Sequence, residues 1–336
     1  VNLILTSTGS YPRIGDSPEL QVLRRTIAGV DRGEKTAADL AEAENQMTRR
    51  AIEEQLRAGV ELVTDGLIRW YDPLSYLAGK LENVKINGLL RFFDTNTYFR
   101  QPVLHGRPAR RGALVVDDFR FARKTLEELG GGKPGRSVKI VLTGPYTLAR
   151  FSLVEDKAME SLAARADAYA DALAAEIAAL AETGCDFIQV DEPAIIKYHA
   201  DWDVFAAAWK KLAAAKAGRK LTLALYVYFH DPAPLYDRLA ALPVDVLGLD
   251  FTYNPKLVDT VAAAGAPAPL GLGLVDGRNT KLEDPATVAR QIEKLLPKIP
   301  GGRAYLGPSS GLEYLPRDRA AAKLALLEKI RTAVKM

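Results

Sequence analysis

Three features of this 336-residue chain predict an α/β fold, a single (β/α)8 barrel with a long insertion after its second strand. Eight short apolar runs, spaced along nearly the whole sequence, read as strands. A helix-like stretch follows every run but the second. Each run also ends in a polar cluster, and a barrel of parallel strands carries its chemistry at the C-terminal ends of those strands.

The runs are Leu3–Thr8, Val60–Thr64, Val138–Thr143, Phe187–Val190, Leu221–Tyr228, Val246–Asp250, Pro269–Val275 and Ala304–Gly307. A Gly/Pro turn, Gly9-Ser10-Tyr11-Pro12-Arg13-Ile14-Gly15, follows the first, and a charged helix is predicted over Ala37–Ala58. The second run ends at Thr64-Asp65-Gly66 and leads into an excursion rich in aromatics and arginine, Leu67–Gly112. Connections of that length are usually lids or binding loops, so this one is expected to shape the barrel mouth. Ala158–Glu182 carries Leu162, Ala166, Tyr169, Leu173, Ile177 and Leu180 at helical spacing and reads as a long packed helix stopped by Gly184. Trp202 and Trp209, on the next helix, are expected in the core. Lys216–Lys220 is a turn at the far end, and Pro316–Val334 is the closing helix. Residues 1–336 read as one domain.

Hydrophobic residues make up 48% of the chain and charged residues 26%, ordinary for a globular protein. A net charge of +3 without a Lys/Arg-rich block gives no reason to expect nucleic acid. Arg107, Arg110 and Arg111 form the densest basic patch, read either as a solvated loop or as an anion contact. No run approaches the roughly 18 apolar residues of a membrane span. The sequence opens on a strand-like run with no charged and apolar leader pattern, so a cytoplasmic location is expected. The one cysteine, Cys185, excludes an internal disulfide. It precedes the fourth run, at the end away from the mouth. Zinc needs soft donors, so none is expected and no metal ligand is assigned, although His230, Asp250 and Glu192 are donors for a hard ion in principle.

The predicted mouth gathers Ser10, Asp65, Thr143, Asp191, Glu192, His230, Asp250, Asp276 and Ser309. Asp191-Glu192-Pro193 places two carboxylates at one strand end. Adjacent strand residues point to opposite faces, so one is expected to face a ligand and the other a neighbouring strand. A structural ion pair is the competing reading. Gly9 lets backbone approach a ligand, and the Thr8-Gly9-Ser10 amides with Arg13 are candidates for holding a carboxylate. Asp94-Thr95-Asn96 reads equally as an Asx turn or a ligand contact. His230, beside Asp231, is either a capped loop residue or a proton-transfer group next to Tyr228. Asp276-Gly277-Arg278-Asn279 offers a guanidinium for an anion, and Ser309-Ser310-Gly311 ends the last strand, where barrels often bind anions. Asp191 and His230 are the expected catalytic pair, and the others are expected to bind substrate.

These motifs, together with Phe93-Asp94-Thr95-Asn96, Leu142-Thr143-Gly144-Pro145-Tyr146-Thr147, Ile188-Gln189-Val190-Asp191-Glu192-Pro193-Ala194, Leu242-Pro243-Val244-Asp245 and Leu274-Val275-Asp276-Gly277-Arg278-Asn279, resemble the cobalamin-independent methionine synthase family, in particular the N-terminal of its two homologous barrels. The resemblance implies methyl transfer from 5-methyltetrahydrofolate or another donor to homocysteine or a related thiol. It also implies a folate-type methyl donor as ligand. In the family's catalytic barrel a zinc ion activates the thiol, held by a histidine and a cysteine on strand five, a glutamate on strand six and a cysteine on strand eight. Strand five here reads Leu225-Tyr226-Val227-Tyr228-Phe229, and the other two positions fall on Asp250 and Ser310. The family's catalytic histidine falls at about Arg278. Ser10 and Asp191 match the positions that hold the carboxylate and amine of the amino acid, while the second acidic contact falls near Leu67. The basic residues that hold folate are replaced by Asp16-Ser17-Pro18. An enzyme of this type is therefore expected with its zinc ligands lost. The alternatives are a non-catalytic half of a split synthase, partnered by a zinc-bearing barrel, and a small-molecule-binding barrel.

Overall fold

The computed structural model describes residues 2–130 and 135–335. Twelve strands occur among them: β1 (Asn2–Leu5), β2 (Leu62–Val63), β3 (Leu81–Arg91), β4 (Tyr98–Arg110), β5 (Ser137–Val138), β6 (Ile140–Thr143), β7 (Leu153–Val154), β8 (Phe187–Asp191), β9 (Thr222–Val227), β10 (Val246–Asp250), β11 (Leu270–Val275) and β12 (Arg303–Pro308). Seven make one sheet in the order β1-β12-β11-β10-β9-β8-β6. Every pairing in it is parallel. The parallel pair β2–β5 lies between its ends. Thr6 bridges Leu62, the Glu61 amide donates to Leu5 O (3.0 Å), and the Lys139 amide, between β5 and β6, donates to Val63 O (2.9 Å). All eight expected runs carry strands of this parallel set.

Helices between the strands cover the outer face. Ala37–Arg57 starts at a capping box in which Thr36 and Asp39 satisfy each other's amides. Its buried Gln55 exchanges hydrogen bonds with the backbone of Thr64 (2.8 and 2.9 Å), fixing the end of β2 against the helix. The Ala-rich helix begins at Leu162, four residues later than its periodicity implied, because Ser161 caps it and Lys157–Met159 is a separate 3-10 turn. It buries Tyr169, Leu173, Ile177 and Leu180 completely, each worth roughly 1.5–3 kcal/mol of burial. Trp202 and Trp209 are in the core as expected.

The excursion after β2 is an ordered hairpin rather than a loop. β3 and β4 pair antiparallel, and β7 adds in parallel to β4. The arginine patch lies on and just after β4, where each member makes an ion pair while Arg111 stays largely exposed. Arg107 meets Asp167 and Asp171 (2.9 and 2.5 Å), Arg110 the buried Glu176 (2.6 Å), and Arg111 meets Glu82 (3.3 Å).

The inner face of the parallel strands has its own small core of Leu62, Phe187, Ala224, Tyr226, Val246 and Tyr305, with Ile4 against it. Gly248 and Gly271 leave the slot that the Tyr226 ring fills. A Cβ at Gly248 would overlap that ring, and one at Gly271 would lie 2.5 Å from its hydroxyl. Above this layer the side chains turn polar, and the site begins there.

Candidate active site

A cavity of about 80 Å³ opens at the C-terminal ends of the strands. Thr8, Ser10, Arg13, Thr143, Asp191 and Tyr228 line it. So do residues the sequence reading did not single out, among them Tyr11, Trp70, Tyr71, Phe92, Glu313 and Tyr314. Phe92 and Thr97 come from the β3–β4 hairpin tip, so the excursion does wall the mouth.

Asp191 ends β8 facing the cavity. Gln189 donates to its Oδ1 (2.7 Å) and the Tyr228 hydroxyl to its Oδ2 (3.0 Å). Gln189 Nε2 also donates to Thr8 O (2.6 Å), while its Oε1 accepts from Lys139 Nζ (2.7 Å). A lysine ammonium only donates, so it sets the amide orientation: oxygen towards Lys139, nitrogen towards Asp191. Both ends of this relay are shifted by burial. Desolvation pushes Asp191 up to about 7 and Lys139 down to about 7. Lys139, a lone charge inside an apolar run, and Gln189, an amide inside another, were the signals for this network in the sequence.

Glu192 faces the other way. It accepts from the amides of Tyr146 (2.9 Å) and Thr147 (2.8 Å) and from the Thr147 hydroxyl (2.6 Å), capping the helix Pro145–Phe151. A Cβ at Gly144 would overlap its carboxylate, so glycine is what admits it. Glu192 therefore serves the frame and is 1% exposed, correcting its expected place among substrate contacts.

Glu313, after β12, answers across the cavity. The Ser10 hydroxyl donates to its carboxylate, Gly311 leaves room for that contact, and burial raises its pKa. Ser10 is thus engaged by a carboxylate of the chain itself. Arg13 donates from Nε to Ile68 O (2.8 Å) and lies over the Tyr71 ring at 4.6 Å. One of its terminal nitrogens is buried without a partner. Leu67 lines the cavity where the family resemblance places an acidic contact, with its backbone in the left-handed region (φ 49°).

The remaining candidates sit elsewhere. Gly9 adopts a φ of 143°, and its carbonyl accepts from Thr64. Asp65 is buried and holds the Leu67 amide (3.0 Å). Asp94 and Asn96 are exposed on the hairpin turn. His230 stands between Phe93 and Tyr253 (ring centroids 6.0 and 5.6 Å) and is not among the lining residues. Desolvation, with Lys197 nearby, lowers its pKa, and its Nε2 has no partner. Asp250 holds the Thr252 amide (2.9 Å) and hydroxyl (2.7 Å), with Arg278 3.8 Å away. Asp276 accepts from the Arg278 amide (2.9 Å) and Asn279 from the Lys281 amide (2.8 Å), both beside an outer groove. Ser309 accepts from the Gly277 amide (3.3 Å), and Ser310 is buried against the same loop. Of the sixteen residues expected to act or bind, Thr8, Ser10, Arg13, Asp191 and Tyr228 line this cavity, with Thr143 beside them, while His230, Asp250, Arg278 and the two serines lie outside it.

In the strand-five stretch and at the two positions matched to zinc ligands, the side chains are otherwise engaged. Tyr226 fills the slot between glycines with its hydroxyl unpaired, Tyr228 is bound to Asp191, Asp250 is spent on its own turn, and Ser310 is packed on Gly277. None offers the nitrogen or sulfur that zinc takes. Cys185, the one thiol, is buried two residues before β8, at the strands' other end, and burial pushes it up to about 12.

The family described as cobalamin-independent synthase, catalytic domain, matches residues 3–333. Methionine synthase of Saccharolobus solfataricus is 30% identical over 328 residues, which cover 95% of this chain and 91% of that protein. Methionine synthase of Sulfurisphaera tokodaii is 30% identical over 331 residues, 96% and 90% of the two chains. Among solved structures, a B12-independent methionine synthase from a Shewanella species, in complex with selenomethionine, superposes with a TM-score of 0.77 at 19% identity, covering 99% of this chain and 97% of that one. A putative counterpart from Listeria monocytogenes gives 0.77 at 16% identity over the full length of both. No described helix is long and apolar enough to cross a membrane.

Proposed function

Since the chain belongs to the cobalamin-independent methionine synthase family, we propose that it is a cytoplasmic methyltransferase, a single (β/α)8 barrel that passes a methyl group to homocysteine or a related thiol without zinc at the family's ligand positions. The observation that carries this reading is Asp191: a carboxylate at a strand end, facing the cavity, oriented by Gln189 and Tyr228 and raised to about 7. A thiol is mostly protonated at neutral pH and must lose its proton to attack a methyl group. Where zinc supplies that activation elsewhere in the family, a carboxylate near neutral pKa can take the proton directly. Tyr228 and Gln189 then hold the protonated acid in place.

The family match is to the catalytic domain, and the curated relatives are spanned to about nine-tenths of their own length. Both facts favour the enzyme over the non-catalytic half of a split synthase, and over the N-terminal barrel that the motifs had suggested. The Shewanella relative, whose complex holds selenomethionine, supports an amino-acid acceptor. Asp16-Ser17-Pro18 offers a folate-type donor no cation, which weighs against that donor.

The test is growth of a methionine auxotroph that lacks every methionine synthase and is supplied with homocysteine. Expression of this chain should restore growth, and an Asp191→Asn variant should not. Equal failure of both, with soluble protein present, would overturn the reading. Metal analysis of active protein containing stoichiometric zinc would overturn the zinc-independent part alone.

A further inference from the structure

We infer that the cavity recognises an onium methyl group, a sulfonium or quaternary ammonium, and that such a cation is the methyl donor. The donor part rests on the methyl-transfer reading above; the binding part does not. Six aromatic rings, Tyr11, Trp70, Tyr71, Phe92, Tyr228 and Tyr314, share the wall with three carboxylates, Asp72, Asp191 and Glu313. Aromatic faces carry negative charge density, and rings grouped around one space are the usual means of holding a permanently charged methylated cation. An onium group has no N–H to donate, so rings and carboxylates that bond no cation suit it better than hydrogen-bond acceptors alone would.

The acceptor amino acid alone does not account for this arrangement. Glu313 takes the Ser10 hydroxyl and puts negative charge where the resemblance would place a carboxylate of the ligand. Neither Leu67 nor Thr143 supplies compensating charge. The charged neighbours on the wall are Arg13, at the Tyr71 end, and Asp72, whose oxygens are committed to the amides of Leu74, Ser75 and Arg100. Beneath Asp191 lies Lys139, held on Gln189. The unpartnered nitrogen of Arg13 marks where a carboxylate carried by the onium compound would end.

The transfer balances without another reactant. The thiol proton passes to Asp191, and the thiolate sulfur forms a bond to the onium methyl carbon. The bond from that carbon to the onium nitrogen or sulfur breaks with its electron pair, so a neutral tertiary amine or thioether leaves. A bound cation also favours ionised Asp191 and Glu313, both of which burial otherwise holds towards the neutral form. Donor binding would thus prepare the base that the acceptor needs.

Calorimetric titration of the intact chain tests this with glycine betaine against tert-butylacetate, its carbon isostere, which differs only in lacking the positive charge. The betaine should bind at least ~10-fold more tightly, and Glu313→Gln should remove most of that preference. Tetramethylammonium and trimethylsulfonium, run beside them, assign the ammonium or the sulfonium by which binds tighter. Equal affinity of the isosteric pair, or no heat from any onium compound at millimolar concentration, would overturn the inference. Should Glu313→Gln fail to fold, the isosteric pair on the unaltered chain decides alone. Onium binding without growth rescue would leave the cavity assignment standing and reject the methyl-transfer reading. Rescue without onium binding would do the reverse.

Discussion

Asp191 and Asp250 end strands two places apart in the sheet, and both are buried, yet their carboxylates meet opposite fates. Asp191 keeps its approach to the cavity because its partners come from beside and below: Gln189 on its own strand and Tyr228 just after β9. Asp250 is taken up by the turn that follows it, through Thr252 and Tyr253, and then faces Arg278. The same division runs round the mouth. On the side of β1, β8 and the loop after β12, polar groups line open space. On the side of β9 to β11, loops fold back on their own strand ends, and Phe229, Phe93 and Tyr253 fill what remains. A strand-end carboxylate is available for chemistry only where the following residues do not offer it an amide two positions on.

The sharpest way to break that comparison is to neutralise both aspartates. Asp191→Asn should lower thiol-methylating activity by about 10²-fold or more, as loss of a general base does. Asp250→Asn should leave ligand affinity within about three-fold and cost roughly 1–2 kcal/mol of stability, read by urea denaturation. Equal effects of the two substitutions on binding would erase the distinction between the two sides.

Glu192 sharpens the contrast from the next residue. Glu192→Gln puts an amide N–H₂ where three donors converge and should cost about 2–4 kcal/mol in stability with ligand affinity little changed. Its pH dependence carries a sign. Burial raises the carboxyl from 4.5 to about 7, so ionisation costs the folded state more than the unfolded one. The unaltered chain should therefore lose stability relative to the variant as pH rises from about 4.5 to about 7, and the difference should be level above that. A relative gain over that window would mean that the three donors, rather than burial, govern this group.

Lower in the barrel the expected effect is smaller. Gly248→Ala drives a methyl into the Tyr226 ring and should destabilise by about 1–3 kcal/mol. The paired change Gly248→Ala with Tyr226→Phe keeps the ring against the new methyl, so it should recover little. Full recovery would place the strain at the hydroxyl instead of the ring.

How far the sequence reaches is visible in these same residues. The parallel strands were legible because each is a short apolar run between turn residues, and Val246–Asp250 matches to the residue. Asp191 was legible for the same reason, as a charge at the end of such a run. Glu313 was not. It follows Ser309-Ser310-Gly311 in a loop, and its place opposite Asp191 depends on how the loops after β1 and β12 meet, a contact spanning some 300 positions in which Gly311 makes the room. The hairpin of β3 and β4 was hidden by its exposed, charged pattern, since edge-like strands bury too few residues to show a clean alternation.

His230 gives the smallest expected effect and the finest test. As the one histidine at a strand end it was the obvious base, but Phe229, with a φ of 78°, turns the chain there, and the imidazole is carried between Phe93 and Tyr253. Burial and the nearby Lys197 lower its pKa, whereas burial raises that of Asp191 to about 7. His230→Ala should therefore change ligand affinity by less than about three-fold and leave the pH profile of binding to Asp191. A profile that loses its inflection in this variant, while keeping it in Asp191→Asn, would move the titrating group to the other side of the mouth.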